Sequence, residues 1–213
     1  MQPSAAKPEY LWGGHDVSPI PDREIARERE QARIEGFSGR LTLGMGWGAA
    51  RRSKAPNADG RAVGTFEVSG LAGSITLDIG ATLVENLVLF GRASGIAFNH
   101  VGLGDTANAG NGFIGLIGPG VRYHFPPMHW YVSGVLALAG VLATDDRNEK
   151  QRATPGFGSQ LEAGMQWWVG NKFQKRAVAF GMRFDLVYAG GAGAIGGDWL
   201  AGAYSLVFST AYN

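Results

Sequence analysis

The last ten residues of the chain, YSLVFSTAYN, alternate large apolar or aromatic side chains with small ones. Because successive side chains of a β-strand point to opposite faces, a period of two places the large residues on one face and the small ones on the other. The pattern therefore predicts a strand with one bulky apolar face at the C-terminus. The large residues are Tyr204, Leu206, Phe208 and Tyr212.

The same alternation recurs in seven earlier segments after Phe37, so eight strands are predicted. Each segment is about 9 to 13 residues long, whereas strands of soluble proteins average about five or six residues. The longer value is the length that a tilted strand needs to cross a bilayer. The segments are Arg40–Gly48, Gly73–Leu83, Leu87–Ala97, Phe113–Phe125, Trp130–Val141, Ser159–Val169, Lys175–Tyr188 and the C-terminal strand.

The connections between these segments alternate in length. Short turns on one side and long loops on the other are the layout of transmembrane β-barrels. The short connections are 84–86, 126–129 and 170–174, and the long ones are 49–72, 98–112, 142–158 and 189–198.

Charged residues fall on the face of each segment that also carries glycine and small polar residues. The opposite face is apolar, and its aromatic residues lie near the segment ends. This arrangement favours apolar side chains directed outward to lipid, aromatic side chains at the two membrane interfaces and charges directed inward. A soluble two-sheet sandwich that buries the apolar face is the alternative. The aromatic residues are Trp47, Tyr123, Phe125, Trp130, Trp167, Tyr188, Tyr204 and Tyr212.

Composition excludes several classes of function. The 213 residues carry a formal net charge of +1, without the clustered basic surface that a nucleic-acid partner requires. The sequence has no cysteine, which excludes disulfides, cysteine-ligated zinc and thiol catalysis. No run of about 18 apolar residues predicts a transmembrane helix.

Residues 1–36 differ from the rest and are predicted to form a polar N-terminal arm before a barrel domain at 37–213. The segment DREIAREREQARIE at 22–35 has i,i+3 pairs of Glu and Arg but too few apolar residues to bury a face. It is expected to be a short solvated helix or a disordered arm. A segment that binds a periplasmic partner or folds into the barrel is the alternative.

Four stretches resemble the small eight-stranded outer-membrane barrels of Gram-negative bacteria, of the OmpA and OmpX type. The resemblance covers about residues 37–213 and implies an all-β, eight-stranded antiparallel up-and-down transmembrane barrel in the bacterial outer membrane. Such barrels usually end on an aromatic residue, whereas Asn213 follows Tyr212 here. The stretches are ENLVLFGR (85–92), GPGVRYHFPP (118–127), WWVGNKF (167–173) and YSLVFSTAY (204–212).

Seven charges are predicted to face the barrel interior, which eight strands leave only wide enough for side chains. Buried charges must pair, because an isolated one costs several kcal/mol or more. We therefore expect an Arg–carboxylate network that plugs the lumen; a conducting polar pore is the alternative. The seven residues are Arg40, Asp78, Arg92, Arg122, Glu162, Arg183 and Asp185.

No catalytic, metal-binding or phosphate-binding motif occurs, so no enzyme activity, metal or cofactor is predicted. Of the four histidines, His15 lies in the arm, and His124 and His129 lie on the short-turn side. His100 is the only one predicted at the outer-leaflet level, with Asp105 nearby, where a lipid A-modifying enzyme would require one. No serine accompanies it in that loop.

The long loops are the expected place for binding, since loops on a rigid scaffold commonly carry it. In loop 49–72, Arg51, Arg52, Lys54 and Arg61 could pair with lipopolysaccharide phosphates. A merely solvated loop is an equal alternative.

The sequence thus predicts a non-enzymatic, monomeric outer-membrane barrel with a structural, adhesive or envelope-anchoring role, in contact with outer-membrane lipid and lipopolysaccharide. A small-solute channel or transporter is the alternative function, and a lipid A-modifying enzyme is a further one.

Overall fold

The chain folds into a closed barrel of eight long antiparallel strands, as the alternation predicts. The computed structural model describes residues 36–52, 66–99, 111–126, 128–144, 150–152, 155–169, 176–190 and 198–212. Within these ranges no helix is long and apolar enough to cross a membrane. Residues 1–35, most of the predicted arm, lie outside them. The strands are β1 (Phe37–Arg52), β2 (Phe66–Val84), β3 (Leu87–Asn99), β4 (Asn111–Phe125), β5 (Trp130–Thr144), β6 (Lys150–Arg152), β7 (Gly156–Val169), β8 (Arg176–Ala189) and β9 (Trp199–Tyr212).

Each long strand pairs with its sequence neighbours, and the last strand pairs with the first. The order around the barrel is β1–β2–β3–β4–β5–β7–β8–β9, and β9 closes on β1 from Gly39↔Tyr212 to Arg52↔Trp199. The three-residue β6 pairs only with the end of β5. The eight-stranded up-and-down barrel predicted from the sequence is therefore confirmed.

The strand register fixes the width of the barrel. A path across the strands that leaves β1 at Leu41 follows the partner residues around the barrel and returns to β1 at Arg51, ten residues further on. With about 3.3 Å per residue and about 4.8 Å between strands, this shear gives a tilt of about 40° and a backbone radius of about 8 Å. Such an interior holds side chains and little else.

The strands are longer than the apolar alternation indicated. Strand β1 continues to Arg52, four residues beyond the predicted end at Gly48, and β2 begins at Phe66. Arg51 and Arg52 were predicted to lie in loop 49–72, and that placement is wrong because both belong to β1. The strand continues because the ladder needs only backbone partners, such as Arg51↔Glu67.

The two ends of the barrel differ. The ends of β1, β3, β5 and β8 and the starts of β2, β4, β7 and β9 lie at one end of the barrel, called here the loop end. The other end, called the turn end, carries the start of β1 and the tight turn at Glu85 and Asn86.

The outer face of the barrel is a continuous apolar belt. Leu77, Leu136 and Phe184 lie near strand midpoints and are between 47% and 74% exposed. Among the outward-facing strand residues that the structure describes, the charged ones are Arg51, Glu67 and Arg176, all at strand ends. The outside is thus apolar in the middle and polar only at its rims.

Aromatic residues on the outer face mark two levels of this belt. On three strands an aromatic residue near each end is separated from the other by ten residues. Ten residues on a strand tilted by about 40° rise about 25 Å along the barrel axis, which is about the height of the apolar band of a transmembrane barrel. The pairs are Phe37 and Trp47 on β1, Phe113 and Tyr123 on β4, and Phe157 and Trp167 on β7.

Asn86 makes the tight β2–β3 turn possible, with a φ of 65° in the left-handed region. Its carbonyl oxygen also accepts a hydrogen bond of 2.9 Å from the His124 amide, which ties the turn to β4. Asparagine tolerates this backbone conformation better than residues with an apolar Cβ substituent.

Replacing Asn86 by alanine should destabilise the folded barrel by about 1 kcal/mol, because alanine pays for the left-handed backbone. Asn86→Gly should be close to neutral, since glycine adopts this conformation without cost. Glu85→Ala, in the same turn, is the matched control. The free energy of unfolding in urea, measured in detergent micelles, checks the order; equal losses in Asn86→Ala and Asn86→Gly would contradict it.

Candidate functional site in the barrel interior

The structure places all seven charged residues singled out in the sequence inside the barrel. Each of them is at most 4% exposed to solvent. They come from β1, β2, β3, β4, β7 and β8, because each occupies an inward position of its strand. They lie in the half of the barrel nearer the turn end and around its middle. Together they form three carboxylate-centred groups.

Asp78 is held by two arginines. The Arg92 Nε and Nη2 atoms donate to the two carboxylate oxygens of Asp78 at 2.6 and 2.8 Å, a bidentate pair between neighbouring strands. Arg122 Nη2 donates to Asp78 Oδ2 from β4. Planar, charge-assisted bonds of this kind are the strong hydrogen bonds of proteins.

Glu162 is held from three sides. Arg40 Nη2 lies 3.3 Å from Glu162 Oε1, and Arg92 Nη1 lies 3.1 Å from Glu162 Oε2. The Tyr131 hydroxyl donates to Glu162 Oε1 at 2.9 Å. Arg92 therefore contacts both Asp78 and Glu162 and joins two of the three groups.

Asp185 forms the third group. Arg183 Nε donates to Asp185 Oδ2 at 3.2 Å, and the Gln160 side-chain amide donates to Asp185 Oδ1. Arg183 Nη1 also donates to the Thr76 hydroxyl at 2.7 Å, and that hydroxyl shares a 2.8 Å bond with Ser94.

Several of these contacts cross the lumen. Arg40 on β1 reaches Tyr131 on β5, four strands away around the barrel, with a hydrogen bond of 2.7 Å and its guanidinium 4.4 Å from the ring centroid. Arg122 lies over the Phe90 ring at 4.8 Å. Side chains from opposite walls thus meet on the barrel axis and fill the section that the charged residues occupy.

The interior near the loop end is apolar, which the sequence analysis did not anticipate. Eighteen buried apolar residues form one cluster, and most of them lie there, with Phe98 and Trp199 near the strand ends; Val88 and Phe90 extend the cluster toward the turn end. The signal was present in β3, where inward positions change from Arg92 and Ser94 to Ile96 and Phe98. The prediction of charges with glycine and small polar residues describes only the other half of the interior.

The two layers impose different barriers. The seven charged residues comprise four arginines and three carboxylates, so this set carries an excess of one positive charge. The apolar layer consists mostly of side chains without hydrogen-bonding groups, and desolvating an ion is costly. Any ion moving along the axis would have to pass both layers.

The other residues singled out in the sequence are not brought together. Arg51 is exposed on the outer face, and Arg52 is buried and faces inward, so the two point apart. His124 is partly buried, 5.9 Å from the Tyr131 ring, and His129 is exposed. Lys54, Arg61, His15, His100 and Asp105 lie outside the described residues. In the part of the chain that the structure describes, no cluster of three His, Asp or Glu side chains could hold a metal ion.

Removing Arg92 should destabilise the barrel more than removing Arg122. Arg92→Met leaves Asp78 and Glu162 each without one partner and should cost about 3–5 kcal/mol, the loss typical of a broken buried ion pair. Arg122→Met leaves the bidentate Arg92–Asp78 pair intact and cancels the excess positive charge, so its loss should be less than half as large.

Urea unfolding of both variants in the same detergent measures the difference. Methionine preserves much of the volume in each case, which makes the two variants a matched pair. An Arg122→Met variant that loses as much stability as Arg92→Met would show that Arg92 does not join the groups.

This chain resembles known proteins in its fold and not in its sequence. No family model matches the sequence, and no curated protein matches it. Neisserial surface protein A is 13% identical, with a TM-score of 0.49 over 84% of this chain and 97% of that chain. The attachment invasion locus protein Ail of Yersinia pestis is 11% identical, with a TM-score of 0.44 over 84% of this chain and 99% of that chain.

The outer membrane protease OmpT of Escherichia coli also has a similar structure. It is 9% identical, with a TM-score of 0.39 over 84% of this chain and 97% of that chain. At these levels of identity and structural agreement, the three proteins assign no activity to this chain.

Proposed function

We propose that this protein is an integral outer-membrane barrel with a closed lumen, which acts as a scaffold rather than as a channel or an enzyme. The observation that carries the proposal is the inverted distribution of its side chains. Buried arginines and carboxylates fill much of the inside, while leucine, phenylalanine and other large apolar residues cover the outside.

A lipid environment accounts for this outer surface. Leu136 and Phe157 are each 74% exposed, and they belong to a belt that surrounds the barrel. Monomeric soluble proteins rarely expose contiguous apolar patches larger than a few hundred Å². In a bilayer the same belt contacts the hydrocarbon chains of the lipids, which are as apolar as the belt. Closure of the barrel leaves no strand edge unpaired. Contact with outer-membrane lipid follows from this proposal.

The filled interior supports a structural role. An ion moving along the barrel axis would have to displace paired side chains such as Arg40 and Glu162. It would also have to cross the apolar layer that contains Phe98 and Trp199. A closed barrel presents its loops on a rigid support, which suits a structural, adhesive or envelope-anchoring function. Lipopolysaccharide remains the proposed partner of Arg51, Lys54 and Arg61, now without Arg52, and a periplasmic partner of residues 1–36 remains the alternative to a solvated arm. We also propose that the barrel is monomeric.

The location of the belt can be tested by one pair of substitutions on β7. Leu161 and Val169 face outward on the same strand, 62% and 58% exposed, but Leu161 lies at mid-belt and Val169 at the turn end. Leu161→Arg should cost about 2–4 kcal/mol in a bilayer, whereas Val169→Arg should cost about 0–1 kcal/mol. Folding into lipid vesicles, read from the gel mobility shift between unboiled and boiled samples, measures both. Equal effects would argue against a belt in lipid.

The closed lumen can be tested by conductance. The unmodified protein in a planar bilayer should show no steady ion current, because both interior layers oppose ions. Weakening the apolar layer should not suffice: Trp199→Ala should stay closed, since the charged layer remains. Steady conductance of the unmodified protein would replace the scaffold by a small-solute channel.

A further inference from the structure

The barrel wall has one interruption in the middle of a strand, between β4 and β5. Their pairing runs from Asn111↔Thr144 to Ile117↔Leu138, skips two residue pairs, and resumes at Gly120↔Val135. The skipped positions are Gly118 and Pro119. The only other irregularity among the described pairings of long strands is at the turn end, between Thr82 and Val84.

Proline explains the gap. Pro119 still pairs with Gly91 of β3, so alternation along the strand directs its missing N–H toward β5. The ladder bond that residue 119 would donate to Leu136 cannot form, since proline has no N–H. Proline is normally confined to edge strands and bulges. Here it lies at the midpoint of β4, six residues from both Phe113 and Phe125.

The wall at this gap separates two apolar regions. On the outside, a groove with a volume of about 790 Å³ crosses β1 to β5, and Ile117 and Leu138, the last residue pair before the gap, belong to its lining. On the inside, Leu116, Val135 and Ala137 are buried in the apolar layer. A hydrocarbon chain moving from one region to the other would lose no hydration, whereas an ion would.

We infer that the barrel wall opens laterally between β4 and β5 at Pro119 and lets the end of a hydrocarbon chain from the bilayer reach Leu116 and Val135 on its inner side. This opening rests on the proposed membrane location of the belt. It is compatible with a lumen closed to ions, because the passage runs through the wall and not along the axis.

Amide hydrogen exchange in micelles measures the opening. The amides of Gly134 and Leu138 should exchange about tenfold faster than those of Gly181 and Val207, which point into the unbroken β8–β9 seam, the factor expected of one missing hydrogen bond. Pro119→Ala restores the donor and should remove this difference. Val121→Ala, at the next outward position of β4, trims a side chain without adding a donor and should leave the difference in place.

A nitroxide-labelled stearic acid measures access to the interior. It should broaden the methyl resonances of Leu116 and Val135 more than those of Val207, which is also buried and lies on β9 across the barrel. The excess broadening should fall severalfold in Pro119→Ala and persist in Val121→Ala.

Two results would overturn the inference: equal exchange in the two seams, or equal broadening of Val135 and Val207. Neither depends on the Leu161→Arg test, which addresses the location of the belt alone. A protein that passes that test and fails these two is a membrane barrel with a sealed wall.

Discussion

Closure of the backbone hydrogen-bond ladder is the constraint on which this structure depends. In a medium without water, every strand edge must find a partner, and only the pairing of β9 with β1 removes the last two edges. The shear of ten residues follows from that closure and sets the backbone radius at about 8 Å. The narrow interior then requires that every inward charge meets a partner within the same cross-section.

The interior satisfies that requirement with few residues because Arg92 serves two carboxylates. Its Nε and Nη2 atoms bind Asp78 on the neighbouring strand, while Nη1 reaches Glu162 across the lumen. A lysine could not replace it, since an ammonium group lacks the planar fork that addresses two partners at once. Apolar residues take over toward the loop end, as the change from Arg92 and Ser94 to Ile96 and Phe98 along β3 shows.

Much of the fold was readable from the sequence, because a period of two assigns each residue to a face once the strands are identified. Tyr204 and Tyr212 face outward, and Arg183 and Asp185 face inward, as the alternation predicts. The sequence did not show which charged residues pair with each other. The contact between Arg92 and Glu162 joins β3 to β7, and it depends on the shear of the barrel. Arg51 and Arg52 were misplaced for another reason: beyond the apolar belt a strand can continue on backbone pairing alone, without an apolar signal.

The contact between Arg40 and Ser209 has a consequence for how the molecule assembles. The two side chains are 169 residues apart in sequence and meet at 2.9 Å across the closing seam. Contacts of such long sequence separation form slowly, because the loop entropy is lost before the contact is gained. One edge of β1 therefore stays exposed until β9, at the end of the chain, pairs with it. During that interval the unfinished sheet is a template for other strands, so the time spent before closure, rather than the stability of the finished barrel, sets its exposure to aggregation.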